Sequence, residues 1–161
     1  MINIVLIEPE IPQNTGNIAR TCAAVGARLH LVEPMGFKVD NAKLKRAGLD
    51  YWHFLDITYY KDTGDFLQRN AGEHLFFFTT KAAKLYTEAD YAGDPFLIFG
   101  KETAGISEEI LKNNLESCVR IPMRDNLRSL NLSNAAAIAV YEALRQQDFA
   151  GLKFGGKFAD L

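Results

Sequence analysis

The chain has 161 residues, 48% hydrophobic and 24% charged, with a formal net charge of −2 and a pI near 5.9. A chain of this size buries a sizeable core without disulfide or metal staples, and the near-average composition excludes disordered and collagen-like classes. No run reaches the ~18 apolar residues of a membrane span, no basic n-region opens the chain, and the acidic balance gives no global attraction to a polyanion. A soluble cytoplasmic protein is expected, with any nucleic acid held by local basic patches.

Taken in chain order, Ile2–Ile7 (INIVLI) is an apolar run of strand length. A turn rich in Pro and Glu (8–12) follows, and a helix is expected from near Asn14 or Thr15 to a stop at Gly26. Leu29–Val32 reads as a second strand, Asp40–Ala47 as a short helix ending at Gly48, and Trp52–Ile57 as a weaker strand. Asp62 or Thr63 caps a helix to about Asn70, after which Leu75–Thr79 is a strongly apolar strand. Phe96–Phe99 is a strand stopped at Gly100, Ser107 caps a helix through about Asn113, and Val119–Ile121 is the last strand. The final helix starts near Leu132, with Leu132, Ala136, Val140 and Leu144 at helical spacing and alanines beside them for close packing. Apolar strands alternating with helices indicate an α/β domain with a mostly parallel sheet covered by helices on both faces.

The chemistry is concentrated in three polar loops that follow strands or open helices. Asn14–Arg20 (NTGNIAR) sets Asn17 and Arg20 three apart on one helical face. An arginine there suits a phosphate or a developing oxyanion, or is a surface residue behind a helix cap. Phe99–Ile106 (FGKETAGI) contains Glu102, which reads as a fastener of backbone amides more than as a base. The stretch Ile121–Ala143 holds Ser129, Asn131, Ser133 and Asn134 at a helix start, more polar groups than capping requires. The strands ending at Thr79, Gly100 and Ile121 would open into one crevice, or the loops are three ordinary turns. Neither GxGxxG after the first strand nor GxxxxGK[ST] is present, so a nucleotide ligand would be held by other means. His30, His53 and His74 lack metal-ligand spacing, as do Cys22 and Cys118, and no metal is expected. Candidate basic patches are Lys43, Lys45 and Arg46, then Arg124 with Arg128, then Lys153 with Lys157.

Together with EPMGF and RAGLDYW, IVLIEPEIPQNTGNIAR, FGKETAGI and IPM followed by SLNLSNA resemble, in order and spacing, the motifs of the SPOUT class of RNA methyltransferases, over essentially the whole chain. The compact type without an added RNA-binding domain is the nearest likeness. The resemblance implies one SPOUT domain over 1–161 with a C-terminal deep trefoil knot, which strand patterning alone would not propose. It implies a homodimer that uses S-adenosylmethionine to methylate the ribose 2′-hydroxyl of the wobble nucleotide, a cytidine or uridine at tRNA position 34, in leucine tRNAs. Another tRNA position, ribosomal RNA, or a non-catalytic RNA-binding module are the alternatives. By the same resemblance the cofactor contacts Phe78, Thr79, Gly100, Ile121, Met123, Ser129, Leu130 and Asn134. Arg20 is the catalytic residue, and Asn14, Asn17, Arg128 and Tyr141 meet RNA. Lys101 and Ala104 depart from the family pattern, where Pro and Arg are often found.

Overall fold

The computed structural model describes residues 1–38 and 52–156. The helix expected over Asp40–Ala47, the Lys43/Lys45/Arg46 patch, most of RAGLDYW and Lys157 lie outside the described residues. The elements are β1 (Asn3–Ile7), α1 (Pro12–Val25), β2 (Arg28–Val32), β3 (Ile57–Tyr60), α2 (Thr63–Arg69), β4 (Leu75–Phe78), β5 (Phe96–Phe99), α3 (Glu108–Lys112), β6 (Cys118–Val119) and α4 (Leu132–Gln146). The six strands form one sheet in the order β3-β2-β1-β5-β4-β6, and every neighbouring pair is parallel.

Alternation along the strands splits the core in two, because successive side chains leave opposite faces of a sheet. Ile4, Leu6, Leu29, Leu31, Leu97, Phe99 and Val119 face α1 and α4, which contribute Ile18, Ala19, Cys22, Ala136, Ala139, Val140 and Ala143. Val5, Ile7, Val32, Phe77, Ile98 and Cys118 face α2 and α3 through Phe66 and Leu111. The small residues of α1 and α4 let the two helices pack directly on each other. With helices on both faces of a parallel sheet, the expected α/β class holds.

Local chemistry sets the helix ends. The Asp62 carboxylate accepts from the Asp65 N–H at 2.7 Å, the Ser107 hydroxyl from the Ile110 N–H, and Gly26 ends α1 at φ 70° in the left-handed region. Three boundaries differ from the sequence expectation by two residues or more. Helix α1 begins at Pro12, not at Asn14 or Thr15, since proline fits a first helical position where no N–H partner is needed. Trp52–Phe54 is a 3₁₀ turn, and the strand follows it at Ile57–Tyr60, whose β-branched and aromatic run is the better strand former. β6 is Cys118–Val119 and stops before Ile121; Arg120 instead pairs with Leu85.

One buried polar cluster crosses the β1–β2–β3 end of the sheet. His30, 5% exposed, lies 3.1 Å from Asn3 Oδ1 through Nε2 and 2.9 Å from the Tyr60 hydroxyl through Nδ1. The Asn3 amide nitrogen donates to the Met1, Asp94 and Pro95 carbonyls, so its Oδ1 accepts from Nε2–H, while the Tyr60 hydroxyl, which accepts from the Asn70 amide, donates to Nδ1, the pattern of a neutral imidazole. Burial, reinforced by Arg28, lowers the His30 pKa from 6.5 to about 4. Because the unfolded chain binds the extra proton first, the stability this neutral histidine supports is complete above pH 6.5 and is lost as pH falls toward 4. Denaturant unfolding should show wild type losing about 2 kcal/mol more than His30→Gln between pH 7.5 and 5; parallel curves would remove His30 as the cause.

Candidate functional site

The carboxyl ends of β4, β5 and β6 lie side by side, so the three loops that follow them open on one side of the sheet. There they enclose a cavity of about 560 Å³, within the usual range for a small-molecule site. Its floor is apolar: Phe78 and Phe99 stack at 4.8 Å between ring centroids, and Ile106, Ile121, Met123, Leu132 and Ala135 extend the wall. Polar side chains in the lining include those of Thr79, Lys81, Lys101, Glu102, Arg128, Ser129 and Asn131.

Side-chain hydrogen bonds join loops that are distant in sequence. The Glu102 carboxylate accepts from the Glu10 N–H at 2.8 Å, the Ile11 N–H at 3.1 Å and the Asn14 amide at 3.0 Å. Asn14, 5% exposed, accepts in turn from the Asn131 amide at 3.0 Å. Asn131 Oδ1 then caps α4 by accepting from the Ser133 N–H, the Ser133 hydroxyl and the Asn134 N–H. Burial pushes the Glu102 carboxyl up, but the hydrogen bonds from Asn14, Glu10 and Ile11 outweigh it and hold the pKa below the usual carboxylate value. Glu102 is therefore an anionic bracket, the fastener its sequence context suggests.

Two neighbours of Glu102 repeat the tie. Lys101 Nζ meets Glu8 Oε2 at 2.7 Å, and Thr103 donates to the Glu10 carboxylate through its N–H at 3.0 Å and its hydroxyl at 2.8 Å. Gly100 is demanded by the turn they share: a Cβ there would lie 2.1 Å from the Gly105 carbonyl carbon. Gly105, at φ 69°, closes the turn by donating its N–H to the Lys101 carbonyl.

The opposite wall behaves differently. Between Ile121 and Leu130 the backbone makes one hydrogen bond among the described residues, from the Leu127 N–H to the Arg124 carbonyl. Ile121, Met123 and Leu130 line the cavity, and their peptide groups make no hydrogen bond among the described residues, leaving donors and acceptors that a bound molecule can use.

Of the expected cofactor contacts, Phe78, Thr79, Gly100, Ile121, Met123, Ser129 and Leu130 all line this cavity. Asn134 does not; it is exposed on α4, with its N–H turned to Asn131, which takes the place on the wall. Asn14, expected at the RNA, is buried, with both ends of its amide held by protein. Asn17 and Arg20 are exposed on α1 and are not among the lining residues, and Tyr141 is exposed on α4. Arg128 is on the cavity rim. Asn131 belongs to the polar surplus that the sequence shows at this helix start, whereas Glu8, Glu10 and Thr103 are not expected from the sequence, two glutamates in the turn after β1 being their only signal. Among the described residues no cluster of three or more metal-ligating side chains occurs.

A parallel α/β sheet without a phosphate loop, carrying its cavity where three loops interlock at the strand ends, defines a ligand-binding domain of a particular construction. Over residues 1–141 the chain matches the SpoU rRNA Methylase family, to which it belongs. It is 49% identical over 154 residues to the tRNA (cytidine(34)-2'-O)-methyltransferase of Saccharophagus degradans, a match covering 95% of this chain and 100% of that one. Its fold is similar, with a TM-score of 0.86 and 43% identity over 92% of this chain and 97% of the other, to a solved structure described as "Structural insights into the 2-OH methylation of C/U34 on tRNA". It is also similar, with a TM-score of 0.77 and 27% identity over 91% of this chain and 57% of that one, to the SpoU methyltransferase AviRb of Streptomyces viridochromogenes in complex with the cofactor AdoMet.

Glu102→Ala removes three hydrogen bonds to a carboxylate and leaves the Asn14 amide without its acceptor. The expected cost is about 2 kcal/mol, read as a fall of roughly 4–8 °C in melting temperature; an unchanged melt would show that the loops hold together without it.

Proposed function

We propose that this chain is a cytoplasmic tRNA 2′-O-methyltransferase that moves a methyl group from S-adenosylmethionine to the ribose of the wobble nucleotide, cytidine or uridine 34, in leucine tRNAs. The observation that carries the reading is the cavity at the ends of β4, β5 and β6, in a chain whose relatives of nearly full length bear that activity in their names. Its apolar floor suits a flat heteroaromatic ring, and the unpaired peptide groups of Ile121, Met123 and Leu130 suit reading such a ring by backbone.

Phe78, Thr79, Gly100, Ile121, Met123, Ser129 and Leu130 would hold the cofactor, which supplies an electrophilic methyl group on a sulfonium centre. The protein's part is then to place a ribose hydroxyl in line and to manage the charge that grows on its oxygen. Alignment of this kind is worth roughly 7–11 kcal/mol. Arg20 takes the acceptor side, binding the phosphate beside the target ribose or polarising the 2′-hydroxyl, with Asn17 one turn before it. Arg128 at the rim and Tyr141 on α4 contact the RNA.

The active form is a homodimer of single-domain subunits. In support, α4 leaves Ile138 and Tyr141 exposed at 37% and 51% beside the exposed side of α1, an apolar surface a second copy would cover. The segment leading to α4 forms a deep trefoil knot. In support, Val119 accepts from the Thr79 N–H, while Arg120 donates to the Lys84 carbonyl and accepts from the Tyr86 N–H, before the chain crosses to α4 on the α1 side.

With labelled S-adenosylmethionine and total tRNA, label should map to the ribose of nucleotide 34. Unlabelled tRNA would overturn the reading, and label elsewhere would reassign the position. Arg20→Ala should reduce transfer by about 10²–10³-fold with cofactor affinity retained; full transfer would remove Arg20 from the mechanism.

A further inference from the structure

The cavity wall carries three cationic side chains, Lys81, Lys101 and Arg128. Lys81 is paired with Glu108 at 2.8 Å and Lys101 with Glu8 at 2.7 Å, so two of the three charges are masked on a protein that is itself acidic. The Lys101–Glu8 pair is half-exposed, at 36% and 31%, and such pairs contribute little to stability. Nor does the loop shape depend on it. The same loop is already fastened by Glu102 to two amides and Asn14, by Thr103 to Glu10, and by its own Gly105-to-Lys101 turn bond. Glu8 is fixed independently of the lysine: its backbone is held at φ 49°, uncommon for a residue with a side chain, while its N–H donates to the Val32 carbonyl at 2.9 Å. The backbone that carries the carboxylate is held by bonds that do not involve Lys101. The lysine, on a flexible four-carbon stem, is the partner free to leave.

We propose that Lys101 is an exchangeable cation at the cavity mouth, held by Glu8 in the free protein and transferred to a backbone phosphate when the RNA strand bearing the acceptor ribose docks. The proposal rests on the RNA methyltransferase reading and deepens it. Replacing one anion by another around Lys101 leaves the loop backbone untouched, so the exchange costs little. It also uncovers positive charge on the same cavity that Arg128 lines, where an acidic protein otherwise offers a polyanion little to hold.

The test measures tRNA binding across a salt series for wild type, Glu8→Gln, Lys101→Met and the double variant, with melting temperatures alongside. Lys101→Met should weaken binding by about 3–10-fold and reduce the log–log salt slope by about 1. Glu8→Gln, which unmasks the lysine, should tighten binding by about 3-fold, and the double variant should behave like Lys101→Met, all with melts close to wild type. A full salt slope in Lys101→Met would overturn the proposal. So would weaker binding in Glu8→Gln, which marks a structural latch, or a changed cofactor affinity with an unchanged slope. Wild-type protein that methylates tRNA while failing these comparisons removes Lys101 alone; wild-type protein that transfers no methyl group to tRNA removes the enzymatic reading.

Discussion

The Glu102 carboxylate is the point on which the site depends, because three of its hydrogen bonds go to the start of α1 and the amide it holds in Asn14 holds Asn131 at the start of α4. Two helices on the same face of the sheet thus have their N-terminal ends tied to the loop after β5. A neutral side chain at 102 would offer fewer acceptors, and a longer route between Asn14 and Asn131 would leave a buried amide unpaired, which is costly in a low-dielectric setting. The bracket therefore works as a unit, and the cavity takes its shape from it.

Around that bracket the chemistry divides in two. The floor and far wall are apolar side chains and peptide groups, which recognise shape and backbone-compatible hydrogen bonding without formal charge. The near rim carries the charges, and most of these are matched: Lys101 with Glu8, Lys81 with Glu108, Glu102 with amides. A cationic methyl donor and an anionic nucleic acid make opposite demands on the same rim, and a neutralised rim satisfies the first without forfeiting the second.

Much of this was legible in the chain. Apolar runs such as LFFF and FLIF marked β4 and β5, capping residues marked α2 and α3, and the surplus of Asn and Ser after Met123 marked the third loop, because each signal is local. What escaped was set by contacts across the fold. Nothing near Asn14 in sequence tells that its amide is buried between Glu102 and Asn131. Asn131 and Asn134 have the same chemistry three positions apart, but Asn131 is the cap before the first turn and lines the cavity, while Asn134 lies inside the helix and does not. The end of β6 is fixed by Leu85, a residue more than thirty positions earlier.

The register of the central strands also shapes how the chain is made. β1 lies between β2 and β5, and Asn3 pairs with Phe96, about 90 residues downstream. At a synthesis rate of roughly 5–20 residues per second, β1 leaves the ribosome some 5–20 s before its second neighbour exists. Through that interval a strand that is apolar from Ile4 to Ile7 has one edge unpaired, and the enclosing helix α4, which comes last, is not yet available to cover it. The strand arrangement that brings three loops to one place thus makes this a slow, late-closing sheet, with a nascent form that depends on shielding from its neighbours.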